Sequence, residues 1–206
     1  PVHAGFGVVS GGAAAAGGVR DRIRGHDAFT IQDRELRLAD WLRWSGEPPT
    51  ALEQSELEAG RTLLPATDWN RIVHVLGRLN AREARLGTGR YVALPTPAQW
   101  RRAGQGADGR PWPWGFVHDL RFSRNYWSVA DARQDLSFRA SPEQDVSPFG
   151  IHELAGSMRE VCLPGDALRS LGTRLFLLCG GSTFSVDPDD LALTNERTIV
   201  HGDTVH

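Results

Sequence analysis

Between Gly104 and Pro164 neither helical nor strand periodicity can be traced. Gly, Pro, Asp and Ser punctuate the chain every few residues, with aromatic residues interleaved, over about 60 residues, several times the length of an ordinary connection. Backbone amides and carbonyls in such a stretch have no ladder to satisfy them. A compact domain that contains it must hold it by packed rings, buried hydrogen bonds or ions. The 23 Gly and 12 Pro agree with a loop-rich protein, and seven Trp against two Tyr supply large rings that have to be buried or used in recognition.

Regular elements are expected on either side of this stretch. Phe6 to Val9 reads as a short strand that runs into a Gly/Ala loop ending near Gly18, and Arg22 to Ile31 as a second extended piece. Leu36, Leu38, Trp41 and Leu42 make a short helical stripe that stops near Gly46-Glu47-Pro48-Pro49. Residues 50 to 62 are polar and acidic, a loop or short surface helix. The clearest helix follows Pro65, with Thr67 as its cap and Trp69, Ile72, Val73, Leu76 and Leu79 on one face. His74, beside that face, is expected to be partly buried. Arg78, Arg82 and Arg85 lie on the outer side and in the last turns, where cations suit the helix dipole. Tyr91 to Leu94 is strand-like. Thr96-Pro97-Ala98-Gln99 then opens a helix as a capping box with Pro at its first position. Beyond the irregular stretch, Leu175 to Cys179 is a buried strand bounded by Gly180-Gly181, and Thr198 to Val200 a last strand.

Charge excludes several chemistries. All 23 basic residues are Arg, against 25 Asp and Glu, for a net charge of −2. Codon usage in a GC-rich genome is the simplest cause. A Schiff base, a Walker-type phosphate loop and a Ser-Lys hydrolase each need an amine that these residues lack. Near-neutral charge argues against a nucleic-acid binder. Two cysteines, Cys162 and Cys179, are too few for a disulfide framework and are expected to be small buried hydrophobes rather than reactive thiols. With no apolar run of about 18 residues, a membrane span is not expected and a cytoplasmic location is. The missing initiator Met before Pro1 points to a domain cut from a longer protein.

Four islands stand in a fixed order: Ala93-Leu94-Pro95-Thr96-Pro97-Ala98-Gln99-Trp100; Asp108-Gly109-Arg110-Pro111-Trp112-Pro113-Trp114-Gly115; Ser147-Pro148-Phe149-Gly150-Ile151-His152-Glu153-Leu154-Ala155-Gly156-Ser157-Met158-Arg159-Glu160; and Gly180-Gly181-Ser182. This ordered set resembles the formylglycine-generating enzyme (sulfatase-modifying factor) family, and Thr67-Asp68-Trp69 is similar to that family's helix start. The match covers roughly residues 60 to 185. The resemblance implies a single α+β domain over residues 1–206 with an irregular, loop-rich C-type-lectin-like fold: two main helices on small twisted sheets, with Trp100, Trp112, Trp114 and Trp127 as structural posts.

Family members that oxidise a substrate Cys carry two copper-binding Cys just after the Gly-Gly-Ser. Those positions are Ser185 and Asp190 here, and a hydroxyl and a carboxylate cannot replace two soft ligands for a cuprous ion. The His ligands of the iron-dependent relatives come from a separate helical domain, which is not expected in these residues. Ser182 sits in no G-x-S-x-G elbow, so a serine hydrolase is not expected either. Oxidase activity is therefore not expected, and no cofactor is required. Calcium stays open: the resemblance implies one oxygen cage from Asn125 and Asp135 with backbone carbonyls, and a second from Glu160 with the carbonyls of Gly156 and Met158. At the second, Arg159 is expected to stand where the ion would be and to pair with Glu160.

A binding module remains. Its expected recognition surface is the polar, turn-rich C-terminal segment 183–206, with Thr183, Phe184, Ser185, Asp187, Asp189, Asp190, Asn195 and His201 as contact residues. Asp187-Pro188-Asp189-Asp190 reads either as a solvated turn or as a ligand- or cation-contacting loop. Noncatalytic relatives include retroelement-diversified variable proteins, whose changed residues follow the Gly-Gly-Ser. Every residue after Ser182 except Glu196 belongs to the set reached by randomising the first two bases of an Asn codon. The expected function is thus noncatalytic display of a ligand-binding surface to a protein or small ligand. Alternatives are a diverged metal-dependent oxidase, a sensor domain fused to or associated with a bacterial kinase or caspase-like protease, and a regulatory domain whose interface lies elsewhere, around Trp41 and Trp44.

Overall fold

A computed structural model describes residues 4–6, 9–12, 29–60, 69–117, 119–131, 142–163 and 175–200. In chain order the strands are β1 (Ala4–Phe6), β2 (Val9–Gly12), β3 (Phe29–Ile31), β4 (Arg90–Ala93), β5 (Arg159–Cys162), β6 (Leu175–Cys179) and β7 (Glu196–Val200). The helices are α1 (Leu38–Ser45), α2 (Ala51–Glu58), α3 (Trp69–Leu86), α4 (Pro97–Gln105) and α5 (Tyr126–Asp131). The class is α+β. One sheet has the order β1-β5-β6-β7, antiparallel except for the parallel β1–β5 pair; the other is an antiparallel β3-β2-β4.

The N-terminal strand differs from its sequence expectation. Two strands stand where one was expected, each in a different sheet, and Gly11 and Gly12 of the expected loop pair with Tyr91 and Arg90. The irregular stretch also contains a strand. β5 pairs Glu160 with Cys179 and Val161 with Leu178. Its sequence, Arg-Glu-Val-Cys, hides it because all four side chains are buried and the two faces carry different chemistry. Successive strand residues point to opposite faces. Val161 packs with Phe176, Leu178 and residues of α1 and α3, whereas Cys162 and Cys179 pack with Trp100, Ile151, Leu154 and Leu193. The four-stranded sheet thus lies between two apolar clusters, and both cysteines are free and fully buried.

Five α-helices are present among the described residues, of which α3 and α4 are the longest. In α3 the buried side chains are Ile72, Val75 and Leu76, with Trp69 and Leu79 packed on the same cluster. Val73 is exposed instead, because at 100° per residue it falls off the stripe that runs through positions 72, 76 and 79, where Val75 fits. His74 is exposed too, with Nε2 3.6 Å from the Glu47 carboxylate. Thr96, Pro97 and Gln99 form the expected capping box at α4.

A second capping box, Thr50 with Glu53, starts α2 in the segment read as loop or surface helix. Its Glu53 is buried. Its Oε1 accepts hydrogen bonds from Trp41 Nε1 at 2.8 Å and Arg71 Nη1 at 2.7 Å, while Oε2 accepts from Thr50 N at 2.7 Å. Burial works against the charge, but these donors outweigh it and hold the carboxyl below its ordinary range. Glu53→Gln should therefore cost about 2 kcal/mol in chemical denaturation, since a neutral amide keeps the shape but weakens charged hydrogen bonds. Trp41 is buried in this knot and so is not exposed to an interface, while Trp44 is half-buried against the core.

The expected Trp posts divide. Trp100 is 1% exposed. Trp112 and Trp114 are half-buried and stacked at 6.4 Å, with Trp114 edge-on to Phe122 at 5.7 Å. Trp127 is no post: half of its surface is open to solvent.

Candidate functional site

The loop that leaves β6 is hung on residues 155–157. Gly181 N donates to Ala155 O at 3.1 Å and Thr183 N to Ser157 O at 3.0 Å, while Ser157 N donates to Arg124 O at 2.8 Å. Ser185 turns inward, and its Oγ accepts from Ser182 N at 2.9 Å. Its carbonyl accepts from Tyr126 N at 3.1 Å, which joins the loop to the start of α5. Asn195 Nδ2 closes the far side, donating to Asp190 O at 2.7 Å and Gly180 O at 3.3 Å.

Asn125 is the N-cap of α5. Its Oδ1 accepts from Trp127 N and Ser128 N at 3.0 and 3.1 Å, and its own N–H donates to Ser128 Oγ at 2.9 Å. This reciprocal pair presents the first two residues of α5 outward. Tyr126 and Trp127 meet edge to face at 5.4 Å, and Trp127 Nε1 donates to Val186 O at 3.1 Å. Four large side chains consequently share one surface: Tyr126 is 45% exposed, Trp127 50%, Phe184 52% and Val186 53%. Rigidly held backbone beneath exposed rings is the arrangement found at binding hot spots, where little ordering entropy remains to be lost.

The expected contact residues separate accordingly. Phe184, Asp187 and Asp189 are exposed, and Thr183 is half-buried beside them. Ser185 is buried and Asn195 half-buried, both spent on holding the loop, so they are not part of an exposed face. Asp190 is partly buried, 2.7 Å from Arg197 and 3.9 Å from Arg159. His201 lies outside the described residues. Tyr126, Trp127 and Val186 are additions. The Asn125-x-x-Ser128 capping pattern was the available signal for the two rings, since residues in the first turn of so short a helix have little of it to pack against.

Asn125 and Glu160, two of the three expected metal ligands, take other roles. Both lone pairs of Asn125 Oδ1 receive backbone N–H groups, and its Nδ2 donates to Leu120 O at 2.7 Å, so this side chain does not fit an ion cage. Asp135 lies outside the described residues. Glu160 is buried, and it does not pair with Arg159, because neighbours on β5 face opposite ways. Arg159 instead reaches over β6, its Nη1 donating to Gly180 O at 2.6 Å and its Nη2 to Ser185 Oγ at 3.5 Å. Among the described residues no three His, Cys, Asp or Glu side chains are arranged to hold a metal ion.

Glu160 faces a cavity of about 20 Å³, lined also by Gln32, Glu35, Trp100 and Leu154, with room for one water molecule. Gln32 Oε1, Trp100 Nε1 and Glu160 Oε2 border it without protein partners. One donor and two acceptors match a single bridging water better than a bare cation, which the indole N–H would repel. Nearby, Glu35 accepts from Met158 N at 2.9 Å and Ser157 Oγ at 3.0 Å, and Asp145 from Ala155 N at 3.1 Å and Gly156 N at 3.2 Å. Two buried carboxyls therefore grip the segment from which the exposed patch hangs. Burial, with Glu153 adding repulsion, pushes Glu35 up to about 8, and burial pushes Asp145 up to about 8. Glu160 is also raised, by burial first and by Glu35 next. Burial likewise pushes the Cys162 thiol up, the opposite of an activated nucleophile.

No protein-family model matches the chain, and no curated protein matches it. Among the described residues no helix is long and apolar enough to cross a membrane.

Proposed function

We propose that this chain is a noncatalytic ligand-binding domain of the formylglycine-generating-enzyme type, with a C-type-lectin-like fold. Its recognition surface is formed by Thr183–Val186 together with Tyr126 and Trp127. The observation that carries this reading is the exposure of four large apolar or aromatic side chains on backbone pinned by buried hydrogen bonds. A contiguous patch of this kind marks an interaction site on a folded domain.

The positions that the family resemblance assigns to copper thiolates support the noncatalytic part. Ser185 Oγ and Asp190 Oδ1 lie 3.5 and 3.9 Å from the same Arg159 nitrogen. A fixed guanidinium beside a hydroxyl and a carboxylate does not fit a cuprous ion, and no redox step is derived through one. Arg159 instead braces the loop that carries Phe184.

A screen of short peptides and mono- and disaccharides against the ¹⁵N-labelled protein tests the surface. Chemical-shift changes should cluster on Thr183–Val186 and the first turn of α5. Clusters elsewhere overturn the assignment, and copper or iron at one ion per chain in the purified protein overturns the noncatalytic reading.

A further inference from the structure

We infer that the exposed patch takes a basic segment of a protein partner, one that sets an Arg or Lys side chain against the Trp127 and Tyr126 rings beside an apolar residue. The inference rests on the reading of this patch as a recognition surface and adds the chemistry of its occupant. Two separate features select the same sign of charge. The first is the rings themselves. Aromatic faces carry the negative end of a quadrupole, and indole is the strongest such acceptor for a cation. The second is the carboxylates that follow Val186. Asp187 Oδ1 accepts the backbone N–H of Asp189, at 2.9 Å, within its own turn. Among the described residues neither Asp187 nor Asp189 has an ion-pair partner, and both are exposed.

The cations near the patch are already engaged. Arg197 lies 2.7 Å from Asp190, and Arg124 lies 3.4 Å from Glu153. Among the described residues they leave the two outer carboxylates without a neighbouring cation. Phe184 and Val186 flank the inward Ser185, so they offer an apolar contact next to the charged turn. Aromatic and aliphatic anchors with a rim of one sign describe a protein-binding surface, in which the rings supply affinity and the rim supplies selectivity.

The test uses two probes, acetyl-Arg-Leu-Arg-amide and acetyl-Glu-Leu-Glu-amide, titrated at low salt into the ¹⁵N-labelled protein. The reporter is the Trp127 indole N–H, assigned by its loss in Trp127→Phe. The basic peptide should shift this signal saturably and about tenfold more tightly than the acidic one, and Asp187→Asn with Asp189→Asn should weaken it about fivefold. Equal shifts from the two peptides, or a stronger acidic one, overturn the basic partner and leave the recognition surface standing. Failure of both peptides to move the Trp127 signal overturns the basic partner, and if the broader peptide and saccharide screen also leaves the patch silent, the surface falls with it.

Discussion

Gly181→Ala lowers the stability of the domain by about 3 kcal/mol, the upper range for forcing atoms into a packed site. A β-carbon at this position would lie 2.3 Å from Ala155 O, 2.5 Å from Leu191 Cδ2 and 2.9 Å from Asp190 O. Leu191 can turn away, but Ala155 O accepts the N–H of the same Gly181 and cannot retreat without breaking that bond. The substitution therefore parts the loop after β6, which carries Phe184 and Val186, from the 155–157 segment on which it hangs. In thermal unfolding the midpoint should fall by about 9 °C for a chain of this size. Gly77→Ala is the control: it sits exposed within α3, nothing lies near its β-carbon, and it should stabilise by about 0.7 kcal/mol through helix propensity and reduced unfolded-state freedom. A loss below about 1 kcal/mol for Gly181→Ala would show that the loops part freely.

Raising the pH from 5 to 9 should destabilise the protein more than any single substitution on its surface. Glu35 and Asp145 ionise near 4.5 and 3.8 when unfolded, but near 8 when buried, and Glu160 shifts in the same direction. Each folded-state value is raised, so the stabilisation is complete below about pH 4 and is lost as pH climbs through about 8. Within that window the folded chain holds protons that the unfolded chain releases, and stability falls on the order of 1.4 kcal/mol per pH unit for each proton held. Urea denaturation at unit steps of pH measures the slope, and Glu35→Gln should make it shallower. A stability that stays level or rises between pH 5 and 8 would mean that these carboxyls are already ionised in the folded state.

Local elements were legible where a side chain acts on its own backbone. Thr96-Pro97-x-Gln99 announced α4 because capping chemistry is complete within four residues. The run Leu175–Cys179 announced β6 because it is apolar and bounded by Gly. Glu53 was not legible as a buried residue. Its donors, Trp41 and Arg71, are 12 and 18 positions away, so only folding brings three polar groups together. β5 was missed for a related reason: Arg159 and Glu160 look like surface residues until the sheet places one against Gly180 and the other in a cavity.

Part of the candidate site could be read and part could not. Phe184, Asp187 and Asp189 were named as contact residues and are exposed, but Ser185 and Asn195 in the same segment turn inward to hold it. Exposure alternates over single residues in a loop without a repeating pattern, so composition cannot sort one from the next. Trp127 illustrates the opposite error. A Trp within a long irregular stretch is most often buried, yet this one follows the Asn125 cap with half its surface exposed and its indole held by Val186 O.

The amino-acid sequence sets which side-chain chemistry is missing: it offers no Lys amine for a Schiff base, and Ser185 and Asp190 stand where the resemblance would place a pair of thiolates. It also determined the caps, the Gly stops and the reliance on side chains to hold a long irregular stretch. Tertiary structure alone decided which side chains do the holding. Glu35 and Asp145, 110 positions apart, grip the four-residue segment Ala155–Met158, and the patch of Tyr126, Trp127, Phe184 and Val186 is assembled from two stretches of chain joined through it. Such contacts arise from the closure of distant loops on a common sheet, and no periodicity along the chain encodes which loops will meet.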